Sequence, residues 1–263
     1  MSALGIAYRY IQYRRKAKNR FKIHSPFAYG FLEKVLREEP DDQELKELDE
    51  IYESLKRSDR LIETLDFGAG AEGREYSEYR AKLGKIVQRR SHPLKRLRIF
   101  YNLSRYLKPE TMLELGTAAG ISTMYLKKPL PQSKMVTIEG CATLASVAEE
   151  AFQQVGIENV DVMVGNFDVV LKEALDKFET LDFVFFDGNH RKEPTLRYFN
   201  QCVEKINPNT VFVFDDIHWS NEMQQAWEAI KADKRVSVTM DIFWLGFVFF
   251  RKGIAKQDFV VKY

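Results

Sequence analysis

The chain of 263 residues is 45% hydrophobic and 30% charged with a net charge of +2, which describes a globular protein with ample material for a core and, taken as a whole, not a polyanion binder. Its two cysteines, Cys141 and Cys202, have neither the number nor the spacing of a disulfide framework or a zinc site, and they suit a reducing cytosol. The opening apolar residues are interrupted by Arg9 before a signal core forms, and the longest apolar run, residues 242–250, is too short for a bilayer and contains Gly246; a cytoplasmic chain without a transmembrane segment is expected.

In chain order, residues 8–22 read as a basic helix, followed by a turn at Pro26, an amphipathic helix over 27–37 and another over 42–57. Residues 9–22 carry only basic charges, whereas acidic residues dominate 33–63. Residues 61–73 end in the glycine-rich run Asp66-Phe67-Gly68-Ala69-Gly70-Ala71-Glu72-Gly73, and 76–89 again read as helix. The pattern changes near residues 90–93, so the chain is divided into a helical cap over 1–93 and a second domain over 94–263.

Beyond that boundary short apolar runs alternate with helical ones. Strands are expected at 111–116, 135–139, 160–164, 181–187 and 210–215, with helices at 121–127, 143–155, 167–178 and 194–206 between them. A helix over 220–232 precedes two further strands at 236–243 and 246–252. Nearly all-apolar strands alternating with helices imply a parallel sheet covered on both faces. The connection at Leu245–Gly246 is too short for a crossover, so the last two strands must be antiparallel. The expectation is an α/β, Rossmann-like, seven-stranded, mostly parallel sheet with an antiparallel C-terminal hairpin and a helical N-terminal cap.

The most informative segment is Met112-Leu113-Glu114-Leu115-Gly116-Thr117-Ala118-Ala119-Gly120-Ile121-Ser122-Thr123. It leaves a buried strand, turns on glycine and enters a helix. Gly116 permits a sharp turn beside a ligand, and Gly120 lets the helix start close to the strand. The spacing Glu-x-Gly-x-x-x-Gly lacks the close glycine pair of the pyrophosphate fingerprint, which points away from a dinucleotide and toward adenosylmethionine. Glu139, at the end of the next strand and roughly 20 residues beyond the glycine turn, is placed to accept hydrogen bonds from ribose hydroxyls. The glycine run at 66–70 is a decoy, because no buried strand with an acidic tip follows it; it reads as a loop, or as a lid over the cofactor.

On these residues the sequence from Leu113 to Phe250 resembles the class I S-adenosyl-L-methionine-dependent methyltransferases, in particular the catechol O-methyltransferase-like branch and the related sugar-hydroxyl methyltransferases. The resemblance implies that Glu114, Gly116, Thr117, Gly120 and Ser122 surround the methionine portion, that Glu139 holds the ribose, and that Asn166 and Phe167 border the adenine, with Asp187 near the cofactor. Asn166 or Asp168 reads equally well as the cap of the following helix. Further carboxylates end later strands, in Phe186-Asp187-Gly188-Asn189-His190 and Phe214-Asp215-Asp216-Ile217-His218. Hard cations prefer such oxygen ligands, and a bound cation lowers the pKa of a hydroxyl acceptor. By resemblance Asp187, Asp215 and Asp216 match the places of Mg²⁺ ligands, and Asp187-x-x-His190 matches a pattern in which the histidine is the base; helix capping by Asp215 or Asp216 is the plain alternative. His218 and Trp219 are candidates to line an acceptor pocket.

The implied activity is methyl transfer to a small-molecule hydroxyl. Aromatic and basic residues interleaved over 8–22 leave three readings of the N-terminal segment open: an RNA grip that would make this an RNA methyltransferase, an anionic membrane surface, or a helix packed on the catalytic domain or on the second copy of a homodimer. A methyltransferase-like protein that binds its ligand without turnover is the remaining alternative.

Overall fold

A computed structural model describes residues 3–66 and 76–263. In chain order it contains α1 (Ala3–Lys16), α2 (Pro26–Phe31), α3 (Gln43–Lys56), β1 (Leu61–Asp66), β2 (Ser77–Lys82), α4 (Leu83–Arg90), α5 (Leu94–Leu107), β3 (Thr111–Leu115), α6 (Ile121–Lys127), β4 (Lys134–Glu139), α7 (Ala142–Gln154), β5 (Val160–Val164) and α8 (Phe167–Asp176). There follow β6 (Leu181–Phe186), α9 (Lys192–Cys202), β7 (Ile206–Asp215), α10 (Asn221–Ala232), β8 (Val238–Asp241), β9 (Leu245–Phe249) and β10 (Gln257–Val260). The chain divides into two compact units, residues 31–174 and residues 1–30 with 175–263. Strands run in the order β3-β4-β5 in the first and β10-β8-β9-β7-β6 in the second, and most of the pairings are parallel. No helix among the described residues is long and apolar enough to cross a membrane.

In the unit of residues 31–174, β3, β4 and β5 pair in parallel, with Leu115 opposite Ile138 and Glu139 opposite Val164. From Met112 to Leu115 every residue of β3 is buried, as a strand covered on both faces must be. Helix α5, which the strand–helix alternation from residue 111 onward does not anticipate, buries Leu97, Phe100, Tyr101 and Leu103. It ends at Lys108 in the left-handed conformation, just ahead of Pro109. Its Asn102 donates to the carbonyls of Val35 and Glu38 at 3.1 and 2.8 Å, securing the π-helical turn Leu32–Arg37. Asp49 of α3 accepts from Tyr125 of α6 at 2.5 Å and from Arg98 of α5 at 2.8 Å.

The stretch expected to be purely helical up to residue 93 contains a two-stranded antiparallel sheet, β1 with β2, pairing Leu61 with Lys82 and Leu65 with Glu78. The helix read at 76–89 therefore begins only at Leu83. Residues 77–82 alternate between half-buried and exposed side chains, the signature of a strand with one wet face. The glycine-rich residues 67–75, with the lid read there, lie outside the described residues.

In the other unit, β6 and β7 are parallel and β9 runs antiparallel to both β7 and β8. The C-terminal hairpin is thus present, with its turn at 242–244 rather than at Leu245–Gly246. An eighth strand, β10, adds parallel to β8; its four residues are too short and too polar to register as an apolar run. Gly246 lies in β9 where a side chain could not fit, since a Cβ would come within 2.7 Å of the Trp227 ring on α10. Helix α1 ends at Lys16, not at residue 22. Lys18 then bridges to Val261, and its amide donates to the Val260 carbonyl at 2.8 Å. Tyr13 and Ala17 are buried in a cluster with Phe243, flanked by Ile6, Trp244 and Val260. The packed reading of the N-terminal helix is therefore the one observed for this face.

Candidate functional site

The glycine turn and its neighbouring strand tip form one hydrogen-bonded construction. Gly116, at φ 106°, and Gly120, at φ 79°, hold backbone conformations that side chains resist. Gly120 is fixed by packing as well: a Cβ there would lie 2.7 Å from the Phe152 ring and 2.9 Å from Ala148, both on α7. The close approach it permits is thus to α7. Amides of Gly116 and Thr117 donate to the Ile138 carbonyl on β4 at 2.9 and 3.2 Å, so the turn is clipped to the next strand.

Glu139 ends β4 and is 7% exposed. Its Oε2 accepts the amide of Ala118 inside the glycine turn at 2.8 Å, and its Oε1 accepts the amide of Cys141 at 2.9 Å. Gly116 and Glu139 therefore lie on the same edge of these parallel strands. Asn166 uses its side-chain oxygen to accept the Asp168 amide at 3.0 Å, which is the capping role at the start of α8. Phe167, the first residue of α8, is half-buried.

Glu114, Thr117 and Ser122, expected at the ligand, belong to one side-chain network with Thr123 and Thr137. The Glu114 carboxyl has no solvent exposure and accepts from Ser122 at 2.6 Å, Thr123 at 2.5 Å and Thr137 at 2.7 Å. Thr117 and Thr137 hydroxyls are 2.6 Å apart. Burial raises the Glu114 pKa above the usual carboxylate range, and the three hydroxyls oppose that shift. This network ties the end of β3 to β4 and to the first turn of α6. Thr137, which completes it, is the residue that sequence reasoning missed. Its signal is a hydroxyl residue inside the otherwise apolar run Met135-Val136-Thr137-Ile138.

A second constellation occupies the tips of β6 and β7. Parallel pairing sets Phe186 opposite Phe214, with rings stacked at 4.3 Å, so the residues after them leave the sheet on the same edge. Asn189, His190 and Asp216 have φ of 67°, 47° and 53°. Such left-handed non-glycine residues cost about 1–3 kcal/mol each and concentrate where structure serves a site. His190 Nε2 lies 3.6 Å from Asp187 Oδ1. Ligand atoms of His190, Asp215 and Asp216 lie within 4.8 Å of one another. The expected Asp187 also has a ligand atom within 4.8 Å of one on Asp215, so the expected carboxylates gather here with His190 beside them. Two adjacent carboxylates and an imidazole form a donor set that fits a divalent cation.

Beyond this cluster, His218 is engaged structurally. Its Nε2 lies 2.7 Å from Asp241 Oδ2, and its ring stacks on Phe243 at 5.1 Å. Arg9 of α1 donates to the carbonyls of His218 and Trp219, both at 2.7 Å. Both cysteines are buried with free thiols.

Residues 113–217 match the family described as a methyltransferase domain. A catechol O-methyltransferase of Niastella koreensis is 27% identical over 118 residues, covering 44% of this chain and 52% of that protein. The matched part of the chain thus spans about half the length of that relative. An O-methyltransferase from Bacillus cereus, solved in complex with SAH, superposes with a TM-score of 0.54 at 20% identity over 84% of this chain and 96% of that one. An SAH-bound methyltransferase of Podospora anserina superposes with a TM-score of 0.59 at 16% identity, covering 88% and 97%. The fold is that of the class I methyltransferases, and the chain is a relative of catechol O-methyltransferase-like proteins.

Proposed function

We propose that this relative of the catechol O-methyltransferases transfers a methyl group from S-adenosylmethionine to a hydroxyl oxygen of a small molecule. The observation that carries the reading is the joining of the glycine turn after β3 to the Glu139 carboxylate on β4 through the Ala118 amide at 2.8 Å. A carboxylate is an acceptor-only group with about four lone-pair sites, and that chemistry matches the paired hydroxyls of a ribose. The buried Glu114 network holds the turn in place, so the cradle is built before the ligand arrives.

Transfer from a sulfonium needs an aligned oxygen that gives up its proton. We assign that work to the tips of β6 and β7. His190 takes the proton, and Asp187, 3.6 Å from its Nε2, stabilises the charged form of the imidazole. Asp187, Asp215 and Asp216 would hold a divalent cation such as Mg²⁺, which when bound supplies a lowered pKa to the acceptor hydroxyl. Small hydroxylated acceptors, phenols and sugars, are the substrate class.

The experiment is calorimetric titration with SAH, followed by a methyl-transfer assay against phenols and sugars with and without Mg²⁺. Micromolar SAH binding with turnover of a hydroxyl acceptor supports the reading. Absence of SAH binding overturns it, and binding without transfer to any acceptor of the panel points to a non-catalytic protein.

A further inference from the structure

Helix α1 has two faces of opposite use. One, with Ile6, Tyr13 and Ala17, packs against Phe243, Trp244 and Val260. On the opposite side, at positions i, i+4 and i+7, stand Leu4, Tyr8 and Ile11, which are 82%, 63% and 52% exposed. Arg15 continues this stripe at i+11 and is exposed, as are Arg14, Lys16, Lys18 and Lys22. Phe21, just past the helix, is 73% exposed, with Arg20 over its ring at 4.8 Å. No acidic residue occurs before Glu33.

We propose that this face of α1 and the turn carrying Phe21 bind the surface of an anionic membrane. Aliphatic and aromatic side chains ringed by cations, with no acidic residue between them, form the complement of an interface of acyl chains below negative headgroups. Arg15 and Lys18 have stems long enough to lie along the apolar boundary while their charges reach phosphate. Charge decides against the other occupants. A second copy docking through the same face would bring two all-basic surfaces together. RNA would be served by Tyr8 and Phe21 as stacking platforms, but Leu4 and Ile11 in the same stripe offer no flat ring to a base. Because the inward face of α1 stays packed on its own unit, the helix lies on the membrane without leaving the protein. This inference does not depend on the methyl-transfer reading.

The test is cosedimentation of the full chain with vesicles of phosphatidylcholine alone or with one third phosphatidylglycerol. Binding at least tenfold tighter to the anionic vesicles, weakened by salt, is expected. Leu4→Ser/Ile11→Ser and Arg14→Glu/Arg15→Glu should each reduce it several-fold with the melting temperature unchanged, since all four residues are exposed. In a Phe21→Trp variant the new indole should shift to shorter wavelength on anionic vesicles and be quenched by brominated lipid. No preference for anionic vesicles, or wild-type binding by both double variants, overturns the proposal. So does a dimer in solution that Leu4→Ser/Ile11→Ser dissociates, or an RNA affinity that displaces the protein from vesicles.

Discussion

The carboxylate of Glu139 accepts the amide proton of Ala118 at 2.8 Å, joining residues 21 positions apart. One side chain thereby sets the distance between a strand tip and the glycine turn of its neighbour. In Glu139→Gln the charge and one acceptor oxygen are lost while the volume is kept. SAH affinity should fall by about 1.5–3 kcal/mol, the range of hydrogen bonds to a charged group. Isothermal titration measures this directly, and an unchanged constant would remove Glu139 from the cofactor site.

The acidic cluster should separate from cofactor affinity. We expect chelation to stop methyl transfer and Mg²⁺ to restore it, with Asp215→Asn and Asp216→Asn lowering kcat at near wild-type SAH affinity. His190→Ala should do likewise, with partial recovery toward alkaline pH as the acceptor ionises unaided. Full turnover in excess chelator takes the cation out of the reaction.

Glu114 should leave a signature in the dependence of stability on pH. Its folded pKa is raised by burial, so the unfolded chain releases this proton first as pH increases. Its contribution is complete below the unfolded value and is lost as pH rises through the folded one. Glu114→Gln does not titrate. The melting temperature of the variant relative to wild type should therefore climb as pH rises above the ordinary carboxylate value of 4.5, and a constant difference would contradict the assignment.

Lys127 has the opposite sign of group and the same test. Its ammonium donates to the carbonyls of Leu130 and Pro131 at 2.7 and 2.8 Å, yet burial lowers its pKa to about 8. Between that value and its ordinary one near 10.5, the unfolded chain binds more protons, so stability rises with pH. Wild type should gain stability from pH 8 to pH 10 relative to Lys127→Met, read from denaturant midpoints at each pH. Parallel curves would show that Lys127 keeps an ordinary pKa.

Gly246 tests the hairpin. A methyl group there would meet Trp227 at 2.7 Å, and both partners sit in a closed core. Gly246→Ala should cost about 1–3 kcal/mol, the scale of overpacking, seen as a lower denaturant midpoint. A midpoint equal to wild type would mean that α10 can move off β9.

The parts of the fold that could be read in advance are those where one physical signal acts alone. Buried parallel strands such as Met112–Leu115 are covered throughout and apolar at every position but Glu114, and the turn at Gly116 and Gly120 needs residues without side chains, so β3, α6 and β4 stand out in the sequence. β1 and β2 were hidden because their apolar–polar alternation is mixed with charges and flanks a glycine run resembling a ligand loop. β10 borrows its stability from β8 and carries little signal of its own. In the site, the acidic identities of Glu114, Glu139, Asp215 and Asp216 were visible, but their division of labour was not. Whether a carboxylate faces a ligand or closes on Ser122, Thr123 and Thr137 depends on which neighbours arrive from other strands. The position of His190 within ligand distance of Asp215 and Asp216 likewise follows from backbone angles at Asn189, His190 and Asp216 that residue type does not announce.

The contact of Arg9 with the carbonyls of His218 and Trp219, across 209 and 210 positions, has a consequence for biosynthesis. Residues 31–174 form a compact unit made of consecutive chain, whereas the other unit joins residues 1–30 to residues 175–263. Helix α1 precedes that unit in the chain, and its partners Val260 and Val261 follow it. Until residues 243–261 have been made, the apolar side of α1 has nothing native to cover it, a span in which exposed apolar surface invites off-pathway association.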